Sequence, residues 1–468
     1  MKGNTLAALC AALAATACTT VGPDYEPPEL ESPSAWATRL KGGLTTAELN
    51  PTSLSAWWET LGDDTLNNLI GRAINANLDL RTAQAQLRQA RAQRAATGGS
   101  RFPTIQAGAS ATSAGSGGNS SQLYSASFDA GWELDLFGGR RRSIEAADAD
   151  LRTAEEARRD VLISMLAEVA VNYIELRAYQ SQLAVAQDNL DNQLETLEIV
   201  EAQYRAGAVT QLDYDRAVSN VANTRSEIPR ARQSLAQVKN RLAVLVGQAP
   251  GALEEQLSEP APIPTPPVQL AVGVPAETLR RRPDVRQAER QLAAETARVG
   301  VAVAELYPKF TLSGTIGLEA LSVSSLTDSD SRTFGIGPSV RWNLFDGGRT
   351  RQQIEVQSAV QEQALIQYER TVLGALEEVE NAITAFTEEQ LRYRALVESA
   401  AATERAADVA RMRYEAGASD FIAVLDAERS LLSVQSNRVA SEGTIVSNLV
   451  RLYKALGGGW DPQEPPRS

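Results

Sequence analysis

The chain of 468 residues contains no histidine. The commonest general base and the commonest metal ligand are therefore both missing. Its two cysteines, Cys10 and Cys18, stand close together at one end. They supply neither a disulfide framework nor a zinc-spaced set. Positive charge is in deficit: 45 Lys and Arg against 58 Asp and Glu leave a formal charge of −13. That balance argues against a nucleic-acid-binding surface. Neither a Walker loop nor a GxSxG nucleophile motif occurs, and GGR at 138–140 and 347–349 lacks phosphate-loop surroundings and reads as a turn. No enzyme class finds its residues here, and no metal or cofactor is expected.

What is present begins with export. MKGNTLAALCAALAATAC carries one basic residue, Lys2, then an apolar run ending in small residues. Residues 1–17 read as a secretory signal peptide, too short to be a membrane span. Ala15-Thr16-Ala17-Cys18 is similar to a bacterial lipobox, with Ala15 where Leu is usual. The expected modification is a covalent lipid on Cys18; the alternative is an ordinary Ala-x-Ala cleavage beside an incidental cysteine. A lone free thiol is out of place on an exported chain, which favours lipidation. Thr19 after the cysteine implies, by likeness to bacterial lipoproteins, sorting to the outer membrane.

The rest of the chain repeats itself. Trp132 and Trp342, Tyr204 and Tyr414, Gly207 and Gly417, Leu242 and Leu452 are each 210 residues apart. Upstream, Asp79/Asp284, Leu87/Leu292 and Pro103/Pro308 keep an offset of 205. A tandem duplication with one loop of changed length accounts for both, and PAPIPTPPVQLAVGVP (260–275) is a Pro-rich bridge between the copies.

Each copy switches period. In 123–136 the residues Tyr124, Ala126, Phe128, Ala130, Trp132 and Leu134 alternate with Ser125, Ser127, Asp129, Gly131 and Glu133, which is a strand pattern. Residues 310–320 and 334–344 repeat it, and 104–112 is an Ala-rich, weaker case. Two hairpins are expected, with GSGGNSS (115–121) and LSVSSLTDSDSR (321–332) as their loops. Half-buried soluble strands alternate too, but strands of about 9–11 residues in an exported chain suit a tilted membrane crossing. Four strands cannot close a barrel, and lipid forbids open edges. The barrel must be shared between chains, and three copies would give 12 strands.

Arg140 to Ala206 contains no Pro or Gly, and Leu162, Met165, Val169, Tyr173 and Leu176 recur at helical steps. Such a helix is roughly 100 Å long at 1.5 Å per residue. Thr350 to Ala416 matches it, and 210–247 and 278–306 read as two shorter helices running back, with Pro229 a candidate bend. YRAGA (204–208) and YEAGA (414–418) end the long helices, and Gly there is suited to a helix C-terminus.

VGPDYEPP (21–28), AWWETLGDDTLNNLI (56–70), LRRRPDVRQAERQLA (279–293), WELDLFGGR (132–140), WNLFDGGR (342–349) and the two YxAGA turns, in this order, resemble the TolC-like outer membrane factor family, in its lipoprotein efflux branch. The resemblance covers nearly the whole chain after the signal peptide. It implies a mixed α and β fold of two tandem repeats, with four membrane strands per chain in a 12-stranded barrel of a homotrimer, above a periplasmic α-helical tunnel. It implies passive export of drugs, toxic compounds or metal ions, driven by an inner-membrane pump of the proton-coupled kind through a periplasmic adaptor, or membrane fusion protein. The segments would be a lipidated arm and equatorial segment (18–62), repeat 1 (63–247), a Pro-rich equatorial linker (248–277), repeat 2 (278–457) and a tail (458–468). Ala206, Gly207, Ala208, Ala416, Gly417 and Ala418 become adaptor-contacting turns at the periplasmic tip. Asp213 and Tyr414 match gate-link positions. Asp426 matches one member of a paired acidic ring whose other member falls on Ala423. The basic partner position falls on Ser419, with Asp420 an extra acid beside it. Three carboxylates around an axis would attract cations. A simpler role also stands open for Asp213 and Asp426, that of carboxylates at a helix start stabilised by its dipole. Two other functions compete: a type I protein-secretion channel, and a non-conducting structural envelope lipoprotein.

Overall fold

The two periods of the sequence become two kinds of element in a computed structural model that describes residues 20–29, 32–47, 51–117, 119–267 and 269–460. The signal peptide and Cys18 lie outside the described residues. The first copy holds β1 (Leu44–Thr45), α1 (Pro51–Ser55), α2 (Asp64–Ala76), α3 (Leu78–Gly99), β2 (Thr104–Ser116), β3 (Asn119–Leu134), α4 (Gly139–Arg205) and α5 (Gln211–Leu245). The second holds β4 (Leu270–Ala271), α6 (Pro275–Arg281), α7 (Pro283–Ala304), β5 (Lys309–Ala320), β6 (Arg332–Arg341), α8 (Arg349–Glu415) and α9 (Phe421–Ala455).

These elements fall into two compact units. One comprises 20–29, Gln86–Glu155 and Arg286–Thr371 and contains the antiparallel sheet β2-β3-β5-β6. Its register carries the alternation across all four strands. Phe128 faces Ile316, which faces Phe334, while Gln106, Asp129, Thr315 and Gly335 line up on the other face. The apolar ladder is bare, with Phe128 61%, Ile316 63% and Phe334 87% exposed. Apolar rows of this kind are costly in water and stable in hydrocarbon.

The strand bounds differ most from the expected ones at two places. Most of GSGGNSS is strand, because backbone pairing such as Gly115 with Ser120 needs no apolar side chain. At the other end β6 stops at Arg341, before Trp342 and Leu344. Trp342 Nε1 instead donates to the Leu306 carbonyl at 3.0 Å, as Trp132 Nε1 donates to that of Arg101 at 2.9 Å. Each indole thus fastens the end of a strand to the turn that precedes the neighbouring one.

The second unit comprises 32–85, Glu156–Val285 and 372–460 and holds the main core. Trp57, Leu66, Leu69, Tyr173, Ile174, Leu242, Leu449 and Leu452 are all buried there. The Trp57 ring stacks on Tyr453 with centroids 5.2 Å apart. Arm, linker and C-terminal segment pack together: β1 pairs with β4, Trp36 Nε1 donates to Gly273 O at 3.0 Å, and Gly459 N donates to Leu54 O at 2.9 Å.

The stretch 278–306, expected as one helix, is two. Pro283 starts α7, and the residue before a proline is driven out of the helical region: Arg282 has φ −64° and ψ 124°. The first copy breaks at Asn77, which has no proline after it. There Asn77 Oδ1 accepts from the amides of Asp79 and Leu80 at 2.9 and 3.0 Å, an N-cap doing the same work. Pro229 lies within α5, which continues through it.

Candidate functional site

Both YxAGA phrases end a 67-residue helix in the same way. Gly207 has φ 73° and Gly417 φ 68°, the left-handed conformation that glycine adopts without a Cβ penalty. In the first turn Gly207 N donates to Tyr204 O at 2.9 Å and Ala208 N to Gln203 O at 2.8 Å. In the second, Gly417 N donates to Tyr414 O at 2.9 Å and Ala418 N to Arg413 O at 2.7 Å. These are paired Schellman closures that satisfy otherwise orphaned carbonyls. Ala206, Gly207, Ala208, Ala416, Gly417 and Ala418 are all exposed. No atom lies within 4 Å of where a Cβ on either glycine would stand.

Beyond the glycines the two turns diverge. Thr210 caps α5 through a reciprocal box: its Oγ1 accepts from Asp213 N at 3.3 Å, and Asp213 Oδ2 accepts from Thr210 N at 3.3 Å. Asp213 also stands 3.7 Å from Arg216. At the equivalent places in the second turn, Asp420 is the N-cap of α9 and makes no side-chain cap bond, and the third residue is Ala423. The helix-start role left open for Asp213 is therefore present in its geometry.

A small apolar cluster of Val200, Ala217, Tyr414, Phe421, Val424 and Leu425 lies between the hairpins. Tyr414 is 7% exposed, donates to Gln203 Oε1 at 2.5 Å, and has its ring 5.5 Å from that of Phe421. Burial first, and then the nearby Asp213 charge, raise the pKa of its hydroxyl. The structure thus brings Asp213 and Tyr414 together. Tyr204, the counterpart of Tyr414, stays in its own hairpin, stacked on Tyr214 with centroids 5.3 Å apart. Asp420 and Asp426 are exposed, and neither has an ion-pair partner among the described residues.

One polar group escaped the sequence. Glu428, 4% exposed, accepts from Thr196 Oγ1 at 2.8 Å and Asn220 Nδ2 at 3.1 Å, with Arg411 Nη2 at 3.8 Å. Burial pushes its pKa up, and these three partners partly oppose the shift. Glu428 continues the apolar stripe of Phe421, Val424 and Leu425 at helical spacing, which is the signal that could have marked it as buried.

Among the described residues no cluster of three or more acidic or cysteine side chains could hold a metal. No described helix is long and apolar enough to cross a membrane.

The first unit thus presents a bare apolar sheet suited to hydrocarbon, and the second holds two hairpins that end in matched turns. The model of the family described as outer membrane efflux protein matches residues 69–248 and 274–458, one span per repeat. The chain belongs to this family. Nodulation protein T of Rhizobium leguminosarum bv. trifolii is 31% identical over 452 residues, covering 94% of this chain and 95% of that protein. Pyoverdine export outer membrane protein OpmQ of Pseudomonas aeruginosa is 31% identical over 480 residues, covering 98% and 97%. The structure of the outer-membrane channel OprN superposes with a TM-score of 0.88 at 37% identity, over 94% of this chain and all of that one. The fold is thus that of TolC-like efflux channels, and the protein is an outer-membrane efflux channel.

Proposed function

We propose that three copies of this chain close their sheets into one 12-stranded barrel, and that small molecules leave the cell through it. An inner-membrane pump, proton-coupled, hands them over through a periplasmic adaptor. The single observation behind this is the sheet itself. Its outer strands β2 and β6 pair on one side only, and its apolar ladder is exposed. Open edges in hydrocarbon leave backbone groups unpaired, and closure by further copies satisfies them.

The exposed Gly207 and Gly417 turns serve as the adaptor-facing tip. Tyr414 holds the two hairpins of a copy together there through Gln203, beside the Asp213 charge, and Asp420 and Asp426 contribute three carboxylates each around the axis, favouring cations over anions. A lipid on Cys18 supplies a second membrane anchor. Drugs, siderophore-like compounds and metal ions are all compatible with such a channel, since the pump chooses the cargo.

Purified protein in planar bilayers tests this. Stepwise, ion-selective conductance is expected. A lipid-inserted trimer that passes no current, even with Asp426→Ala, contradicts it and favours a structural envelope lipoprotein.

A further inference from the structure

Between α4, α5 and α9, wholly within the second unit, lies a cleft of about 710 Å³. Small-ligand clefts occupy ~300–1,000 Å³. Amides and hydroxyls dominate its lining and come from all three helices, among them Gln193, Thr224 and Asn437, with the half-buried ring of Tyr179 beside them.

Gln193 is the informative group. It is 3% exposed, and neither Oε1 nor Nε2 has a hydrogen-bond partner among the described residues. Buried polar groups are nearly always paired, and an unpaired one is destabilising, so this amide calls for an explanation. Poor packing is not that explanation, because the rungs between α4 and α9 are made on either side of it. Asn189 Nδ2 donates to Gln435 Oε1 at 2.7 Å, and Thr196 Oγ1 donates to Glu428 Oε1 at 2.8 Å. Thr224, also 3% exposed, and the exposed Asn437 likewise have no side-chain partner among the described residues.

The charged groups of the lining are already engaged. Glu227 Oε2 stands 3.6 Å from Arg230 Nη1, and Arg429 Nε donates to Asn220 Oδ1 at 3.2 Å. What remains free is neutral and both donates and accepts. A side-chain amide presents a donor and an acceptor on one edge, and two vicinal hydroxyls of a sugar ring engage both at once. A trans peptide group points its N–H and C=O in opposite directions and engages only one of them. From Tyr179 to Gln193 the cleft follows α4 for roughly 21 Å at 1.5 Å per residue, room for a short row of rings. The Tyr179 ring offers an apolar face on which the C–H face of a sugar packs.

We propose that this cleft binds a short, uncharged oligosaccharide, with Gln193 turned outward to hold a vicinal diol and with Thr224 and Asn437 beside it. Turning Gln193 breaks no hydrogen bond, since it makes none. The site stands roughly three helical turns back from the end of α4 at Arg205, away from the YxAGA turns. One copy forms it alone, so its failure would leave the channel reading standing.

Full-length protein in an amine-oxide detergent, which carries no sugar headgroup, tests it by calorimetric titration with maltotetraose, cellotetraose and N-acetylchitotetraose. Saturable binding of one or more, at one site per chain, is expected, and the pattern separates a plain glucan from an amino-sugar chain. Gln193→Leu should weaken binding about tenfold, the loss expected of one hydrogen-bonding group. Thr224→Val, which keeps the shape and removes the hydroxyl, should weaken it several-fold. Neither change should lower the melting temperature of the ligand-free protein, because neither removes a hydrogen bond. No saturable binding of any of these sugars overturns the proposal, as does equal binding by Gln193→Leu. A lower melting temperature of ligand-free Gln193→Leu would show the amide to be paired within the chain, and would overturn the site as well. Conductance of the same preparations in bilayers reports the channel separately.

Discussion

At the first hairpin turn, Thr210 and Asp213 close a capping box over the start of α5. At the second, Asp420 and Ala423 hold the same places, and no side chain caps α9. Tyr204 stacks inside its own hairpin, whereas Tyr414 crosses to Gln203 of the other. Yet the backbones agree to within a few degrees at the glycine, φ 73° against 68°. The duplication has thus retained what the chain needs in order to reverse and has freed the side chains around it. In a ring of copies the turns would alternate between a locally capped kind and one whose acids remain unpaired.

The largest effects are expected at the glycines. Gly247 ends α5 with φ 72°, but a Cβ there would stand 2.6 Å from the Ala76 carbonyl. Gly247→Ala should therefore cost more than the ~1–2 kcal/mol of a left-handed non-glycine residue alone. Gly207→Ala and Gly417→Ala, in open space, should each cost about that amount and match one another, as read by thermal unfolding. Unequal losses would show that the two turns differ in backbone as well.

Capping is the next lever. Thr210→Ala should lose about 1 kcal/mol, seen as faster hydrogen exchange in the first turn of α5. Asp420→Ala should lose only the ~0.3–1 kcal/mol dipole contribution of an acid at a helix start. Transplanting the box with Asp420→Thr and Ala423→Asp should slow exchange at the start of α9, erasing the difference.

The smallest effect is titration. Glu428 is protonated more readily folded than unfolded, because burial raises its pKa. Between the two pKa values the folded state binds more protons, so stability falls as pH rises through the folded value and is highest below the unfolded one. Glu428→Gln should flatten that dependence in melts from acidic to neutral pH.

Much of this architecture was legible because it rests on periods. Alternation located all four strands, and the Pro- and Gly-free run located α4 to within a residue. Chain reversal at Gly207 and Gly417 followed from residue type. The break at Asn77 was not legible, because its cap depends on a single side chain amid helical sequence. The strand over 113–116 was missed because backbone pairing, not side-chain pattern, extends it. Glu428 was missed because a buried carboxylate is intelligible only once Thr196, Asn220 and Arg411 are seen to converge from three other helices. Sequence alone also left Asp213 between gate link and helix cap, and the geometry shows the cap while setting its charge beside Tyr414.

Single-channel conductance of the chain with Gln203→Ala and Tyr414→Phe, beside the unaltered protein, tests whether the two turns close the channel, since these changes remove the hydrogen bond between hairpins and leave both Schellman turns intact. If the turns are the closing end of an efflux channel, conductance should rise several-fold without loss of trimer. Equal conductance in the two proteins, with the trimer intact, would contradict it.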